Sequence, residues 1–313
     1  MKFIRGIYNI QKNHYGCVLT IGNFDSVHRG HQILLKYLKK EGHFRKLPTM
    51  VMIFEPQPLE FFCGRNSPVR LTPLRDKIKY LFEYGVDYLL CIKFNHKFSA
   101  LTPKTFILEF LVKKLGVKFL AIGDDFRFGK DRKGDFQYLL EAGKKYGFQV
   151  SNTKSFCVKG QRISSTAVRQ ALLSDNFALA EHLMAHSYRL SGRVIHGRKL
   201  GSKIGFPTAN LQLKSLIIPV KGVYIAEVYG ISKKPFKAVT NIGTRPTVNG
   251  LKQKIEVHLI DIYKNIYGCH IDLVLRKKIR EEKRFNCINE LREQIKNDVI
   301  VAKEFFNFFD KNI

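Results

Sequence analysis

The chain has no tryptophan and only six cysteines in 313 residues. Cys17, Cys63, Cys91, Cys157, Cys269 and Cys287 lie far apart with no C-x-x-C pair. A disulfide frame and a zinc site are therefore not expected, and scattered reduced thiols suit the cytoplasm. No apolar run approaches the roughly 18 residues that a membrane helix needs. The opening stretch 1–10 lacks the apolar core and small-residue cleavage site of a secretion signal. Also missing are the G-x-x-x-x-G-K-[ST] phosphate loop, the G-x-G-x-x-G fingerprint, H-E-x-x-H, G-x-S-x-G and the protein-kinase set. Their absence removes most of the commoner nucleotide-using and hydrolytic enzymes.

Acidic residues are scarce: 26 Asp+Glu stand against 54 Lys+Arg, a formal net charge of +28. Such a balance fits a nucleic-acid binder, an enzyme for polyanionic substrates, or compositional drift. The basic residues are spread along the whole chain, and the densest run, 276–280, is followed at once by Glu281 and Glu282. Drift and a polyanionic small molecule therefore stand ahead of nucleic acid, which is not an expected partner. Hydrophobic residues at 45% and charged residues at 26% describe an ordinary globular chain. At roughly 150 residues per domain, the length favours two domains.

The first half alternates apolar runs with amphipathic stretches. Strands are expected at 17–21, 49–54, 88–93, 119–122 and 149–151, and helices at 32–40, 75–84, 104–115 and 136–146. Repeated βαβ units predict a parallel sheet covered on both faces, with ligands at the carboxyl ends of its strands. After about residue 185 the pattern becomes strands at 188–195, 222–229, 238–242, 255–260 and 271–275, with a single helix at 287–309. That is the pattern of an antiparallel sheet or small barrel. The expected class is thus α/β: a Rossmann-like domain over 1–186, then a small antiparallel β-barrel with a C-terminal helix over 187–313.

Two segments of the first half carry chemistry. The first strand runs into Gly22-Asn23-Phe24-Asp25-Ser26-Val27-His28-Arg29-Gly30-His31 and then a helix. Such a corner aims free N–H groups and the positive end of a helix dipole at one point, which suits phosphate. His28 and His31, with Gly30 between them, can face that point and donate to phosphate oxygens in a transition state. The bland alternative is that both histidines merely cap the helix. Further on, Arg162-Ile163-Ser164-Ser165-Thr166-Ala167-Val168-Arg169 opens another expected helix. Its three hydroxyls can hold a triphosphate and Arg169 can neutralise departing pyrophosphate, although Ser or Thr at a helix start is usually an N-cap.

In the second half, the stretch 192–210 is the densest motif, with Gly192, Gly197, Gly201 and Gly205 ahead of Phe206-Pro207-Thr208-Ala209-Asn210. The glycines let backbone approach phosphate, and Thr208 and Asn210 offer neutral oxygens to Mg²⁺, which bridges phosphates with few protein ligands. The alternative is a plain Gly/Pro loop between strands. In Ile255-Glu256-Val257-His258-Leu259 the apolar residues alternate, so Glu256 faces away from them and by itself reads as a solvent-exposed carboxylate.

H-x-G-H at the corner with I-S-S-T-x-x-R resembles the nucleotidylyltransferase superfamily. Phe54-Glu55-Pro56-Gln57-Pro58, the segment Arg70-Leu71-Thr72-Pro73-Leu74-Arg75-Asp76-Lys77, and Gly123-Asp124-Asp125-Phe126-Arg127-Phe128-Gly129 narrow the resemblance. Together with G-F-P-T-A-N and Asn241-Ile242-Gly243-Thr244-Arg245-Pro246-Thr247, they resemble the bacterial bifunctional riboflavin kinase/FAD synthetase family, from about residue 15 to about 305. The resemblance implies riboflavin, FMN and ATP as small-molecule substrates, Mg²⁺ as cofactor, and FAD as product. It implies ATP contacts at Gly22, Phe24, Asp25, Gly30, Ser164, Ser165, Thr166 and Arg169, and a flavin or nucleotide contact at Asp125. His28 and His31 would stabilise the transferred phosphoryl group. In the kinase half it implies ATP contacts at Gly197, Gly201, Gly205 and Pro207, Mg²⁺ at Thr208 and Asn210, and Glu256 as general base. Ser26 and Gln57 stand where the family usually has Gly and His, and Met184-Ala185-His186-Ser187 replaces its L-G-R-P junction. A kinase with a decayed first module, and a nucleic-acid binder on an adenylyltransferase-like fold, are the two alternatives.

Overall fold

The computed structural model describes residues 1–153, 157–158, 161–197, 201, 204–213, 218–247 and 250–311. Arg198, Lys199, Leu200, Ser202 and Lys203 of the glycine-rich stretch lie outside the described residues. Contacts divide the chain into two compact units, one of 1–68 with 72–165 and the other of 69–71 with 166–313.

The first unit is built on six strands, β1 Lys2–Arg5, β2 Val18–Ile21, β3 Thr49–Glu55, β4 Tyr88–Lys93, β5 Phe119–Gly123 and β6 Gln149–Thr153, in the order β1-β4-β3-β2-β5-β6. All neighbours are parallel, and a separate antiparallel pair joins β7 Cys157–Val158 to β8 Gln161–Arg162. Alternate residues of each central strand enter different cores. Leu19, Ile21, Met50, Met52, Leu120 and Ile122 share one face, while Val18, Val51, Ile53, Phe119 and Ala121 pack with Leu34, Leu35 and Leu38 of helix α1, Arg29–Arg45. Near-continuous apolar strands follow from this two-sided burial. Strand β1 escapes the sequence pattern because it is a short edge strand with only Ile4 buried. The helix expected over 104–115 is a Pro-started turn, Pro103–Thr105, continuing into wide π-type turns over Phe106–Lys114.

In the second unit β9 Arg189–Ile195, β10 Ala209–Gln212, β11 Gly222–Tyr229, β12 Phe236–Thr247, β13 Gly250–Leu259 and β14 His270–Arg280 close a barrel in the order β10-β13-β12-β11-β14-β9. Helix Ile288–Lys311 covers part of its outside, with Ala302 and Phe306 packed on Val223, Ile225 and Val239. Arg280 fastens that helix through a bidentate pair with the buried Asp298, at 2.7 and 2.9 Å. Contacts assign most of the Ser165–Leu173 helix and all of Phe177–Met184 to the barrel unit, ahead of the junction expected near 186. Phe177 meets Tyr224 edge-on at 5.7 Å, and Asp175 pairs with Lys278 at 2.7 Å.

Candidate active sites

In the strand order of the first unit, β2 leads on to β3 on one side and has β5 on the other. Ligands of open parallel sheets bind at such a reversal, outside the carboxyl ends of the strands. Both loops there carry residues singled out in the sequence, 22–28 after β2 and 123–125 after β5.

The 22–28 corner is strained. Phe24, Ser26 and Val27 all hold positive φ, at 49°, 69° and 42°, a region costly for residues with side chains, above all β-branched ones. Several bonds maintain it. Ser26 N–H donates to Thr72 Oγ1 at 3.0 Å, Thr72 N–H to Asp25 Oδ1 at 2.9 Å, and Gln32 Nε2 to Val27 O at 2.9 Å. Ser165 Oγ donates to Asp25 O at 2.8 Å, which brings the I-S-S-T segment to the corner.

His28 is the N-cap of α1, its Nδ1 accepting from His31 N–H at 3.3 Å. Capping and chemistry are therefore compatible roles. With Nδ1 an acceptor, the neutral ring carries its proton on Nε2, a donor suited to phosphate oxygen. The two imidazoles stack at 3.7 Å and 13°. Burial lowers the His28 pKa to about 4 and holds His31 well below its ordinary value, with any proton on His28 and the Lys77 charge acting the same way on His31. Both rings are thus neutral donors near pH 7. His31 Nδ1 is buried without a hydrogen-bond partner among the described residues. A Cβ on Gly30 would lie 3.2 Å from the His28 ring, and one on Gly22 3.2 Å from Phe24, so both glycines keep the approach open.

The remaining predicted residues of this site are placed less centrally. Asp125 is exposed and paired with Arg162 at 3.0 Å, which also reaches Asp124 at 3.3 Å. Ser164 precedes the helix that starts at Ser165, Thr166 is exposed, and Arg169 Nε donates to Val69 O at 2.5 Å.

The barrel site is organised by strand register. Glu256 on β13 stands opposite Asn210 on β10 and Asn241 on β12. Residues directly opposite in antiparallel strands share a face, so the three form one row. Asn210 is buried, and Asn241 Oδ1 is buried without a hydrogen-bond partner among the described residues. Glu256 is half-buried and paired with Lys254 at 2.5 Å. His258 Nδ1–H donates to Pro207 O at 2.9 Å, tying β13 to the G-F-P-T-A-N loop, and burial lowers its pKa.

Glycine makes room in that loop. Gly205 takes φ 87°. A Cβ on Gly197 would fall 2.0 Å from Asn210 Nδ2, and one on Gly201 2.3 Å from Phe206 O and 3.2 Å from Thr208 Oγ1. The space beside Thr208 and Asn210 is thus held free, as a phosphate-bridging Mg²⁺ requires. No trio of His, Cys, Asp or Glu among the described residues could hold a metal by itself, so neutral oxygens plus phosphate suit this site better than an all-protein cage. Thr208 also lines a cleft of about 350 Å³ with Val257, Leu259, Tyr263, Ile266 and Tyr267, apolar enough for a planar ring.

Comparison with known proteins identifies the family of each half of the chain. The FAD synthetase family profile matches residues 10–167 and the riboflavin kinase profile residues 184–306. The bifunctional riboflavin kinase/FMN adenylyltransferase of Escherichia coli K12 is 59% identical, covering 98% of each chain. The chain belongs to this bifunctional family. The protein of that description from Haemophilus influenzae is 49% identical over 98% of this chain and 100% of its own. A Streptococcus pneumoniae crystal structure described as a macrolide-efflux protein superposes with a TM-score of 0.81 at 28% identity, over 97% of this chain and 99% of that one. It shares the fold. No helix among the described residues here is long and apolar enough to cross a membrane.

Lys77 and Thr72 fall within the 70–77 motif and Asn241 within 241–247, but local spacing points to none of the three. The signal for Lys77 and Thr72 was their place in 70–77, and for Asn241 its lead position in N-I-G-T-R-P-T. An aromatic wall is not legible in the sequence: Phe54 near the end of β3 interlocks in one cluster with Phe61, Phe62, Phe94 and Phe98 beyond the ends of β3 and β4, at 5.2–5.7 Å. The aromatics come from four separate segments, so no local spacing reveals it.

Proposed function

We propose that the chain acts in the cytoplasm as a two-site flavin-cofactor enzyme. The barrel transfers the γ-phosphoryl group of ATP to the terminal ribityl hydroxyl of riboflavin, giving FMN and ADP. The first unit joins the FMN phosphate to the α-phosphorus of ATP, giving FAD and releasing pyrophosphate. The observation that carries this reading is that one chain holds two separately built polar clusters, the His28–His31 corner and the Asn210–Glu256–Asn241 row.

In the barrel, Glu256 accepts the hydroxyl proton as the new P–O bond forms, a role its half-open position allows. Thr208 and Asn210 would hold Mg²⁺, which when bound neutralises charge on the ATP phosphates. Gly197, Gly201, Gly205 and Pro207 admit the nucleotide, and the ring-sized cleft beside Thr208 receives a planar base. In the first unit Gly22, Phe24, Asp25 and Gly30 shape the approach to the triphosphate. The Nε2–H of His28 donates to its oxygens, and His31 stands stacked against His28. Ser164, Ser165 and Thr166 continue the phosphate-binding edge. Arg169 completes the triphosphate contacts, and Asp125 contacts the flavin or nucleotide.

The test is a time course with riboflavin and Mg-ATP, with flavins separated by chromatography. FMN should appear first and FAD after it. FMN accumulating without FAD, even from FMN supplied in excess, would reduce the protein to a kinase.

A further inference from the structure

Helix α3, Leu74–Glu83, buries two charged residues in its first turn, Asp76 and Lys77. Lys77 is 0% exposed. Taking an ammonium out of water costs several kcal/mol, so a buried lysine requires a compensating use. Its Nζ donates to Asn23 O at 2.5 Å, the carbonyl directly before the positive-φ run of Phe24, Ser26 and Val27. The same charge reaches His31, whose ring lies against His28 at 3.7 Å and Phe24 at 4.8 Å. Asp25, the corner's own carboxylate, accepts from Thr72 N–H.

We propose that Lys77 is a positioning residue of the adenylyl-transfer site, its buried side chain fixing the Asn23 carbonyl and its ammonium adding positive charge near His31. The proposal rests on the reading that FMN is adenylylated at the His28–His31 corner. Two consequences follow. The backbone of the strained corner stays in place without rearranging during reaction. Negative charge gathering on the α-phosphate meets a charge that water does not screen, where preorganised electrostatics count most.

The experiment measures FAD formation from supplied FMN and Mg-ATP for the wild type, K77Q, K77M and K77R, with riboflavin phosphorylation by the same chains as control. K77Q removes the charge and leaves an N–H donor on a shorter arm, and K77M removes both charge and donor. We expect K77Q and K77M to lower kcat for FAD formation on the order of 10²-fold, with KM for ATP changed by less than about threefold. K77R should keep at least about a tenth of wild-type kcat, and phosphorylation of riboflavin should be unaltered in all three. K77Q within about threefold of wild-type kcat would overturn the proposal. Should K77Q and K77M lose cooperative melting, K77R decides: normal melting with about a hundredth of the activity or less overturns it, and about a tenth or more supports it. A wild-type chain that makes no FAD removes the underlying reading, and the proposal with it.

Discussion

In the proposed function the His28–His31 corner and the Glu256 row would handle the same kind of group, a phosphate ester, by different physical means. At the corner the backbone is strained, the imidazoles are stacked and kept neutral by burial, and a fully buried lysine stands behind them. The barrel site is half-open. Its carboxylate side chain is 30% exposed and salt-bridged, and glycines hold space free around it. The first site works through a fixed environment, the second through alignment of groups that water still reaches. Altering the environment should therefore damage the corner most, and altering alignment should damage the barrel most.

The largest effects come from the reacting groups and test whether the two sites are independent. E256Q should lower riboflavin phosphorylation by about 10²–10⁴-fold, the usual contribution of a general base, while FAD formation from supplied FMN persists. H28N keeps a helix-capping side chain and should lower FAD formation by about 10²–10³-fold with phosphorylation intact. Loss of both activities in either single variant would collapse the comparison.

Next is alignment in the barrel. G197A places a Cβ where Asn210 Nδ2 now lies, 2.0 Å away, so the Asn210 carboxamide must turn. The Mg²⁺ concentration for half-maximal phosphorylation should rise about 10-fold or more, the usual penalty for disturbing a metal ligand's support. An unchanged Mg²⁺ dependence would remove Asn210 from the metal site. FAD formation, measured in parallel, should not move.

How much of this was legible in the sequence follows the same division. Backbone-driven features could be read directly: β2 runs into the corner, Gly30 separates two histidines, and G-F-P-T-A-N joins two strands. The parallel sheet was readable because its strands alternate with helices, the βαβ pattern of parallel connections. Features made by tertiary assembly were not. Lys77 has the sequence character of a solvated helix residue, yet it is fully buried, because α3 turns that position toward the corner. Asn241 becomes a site candidate only through its register with Glu256, which no single strand reveals. Glu256 itself reads as an ordinary exposed carboxylate until β10 and β12 stand beside it. The short strand β10 was absorbed into the glycine-rich loop because its four residues carry no alternation long enough to detect.

The corner's burial also has a cost in acid, which sharpens the contrast. His28 has a folded pKa of about 4, against 6.5 for an unburied imidazole. Above pH 6.5 the ring is neutral in both states. As pH falls below that value the unfolded chain takes up a proton that the folded corner refuses, so stability declines until pH reaches about 4. Between pH 6.5 and 5 His28 alone should cost about 2 kcal/mol, with His31 acting in the same direction. Chemical denaturation at the two pH values measures this, and in H28N the loss should shrink by that amount. An equal loss in both proteins would show that the imidazole is not the group being charged.

The smallest effect isolates backbone strain. Ser26 holds φ 69°, where glycine is unstrained, while its N–H bond to Thr72 Oγ1 uses only backbone and would survive substitution. S26G relieves about 1 kcal/mol of left-handed strain and gives back part of it, because glycine makes the unfolded chain more flexible. The net expectation is stabilisation by about 0.5 kcal/mol, with FAD formation altered by less than about threefold. Denaturant midpoints resolve a shift of that size if the slope is unchanged. Destabilisation by more than about 1 kcal/mol would mean that the serine side chain, not the bond from its N–H, holds the corner in place. Strain at this position would then be a by-product of a side-chain anchor, and the corner would resemble the barrel site in depending on what its side chains touch.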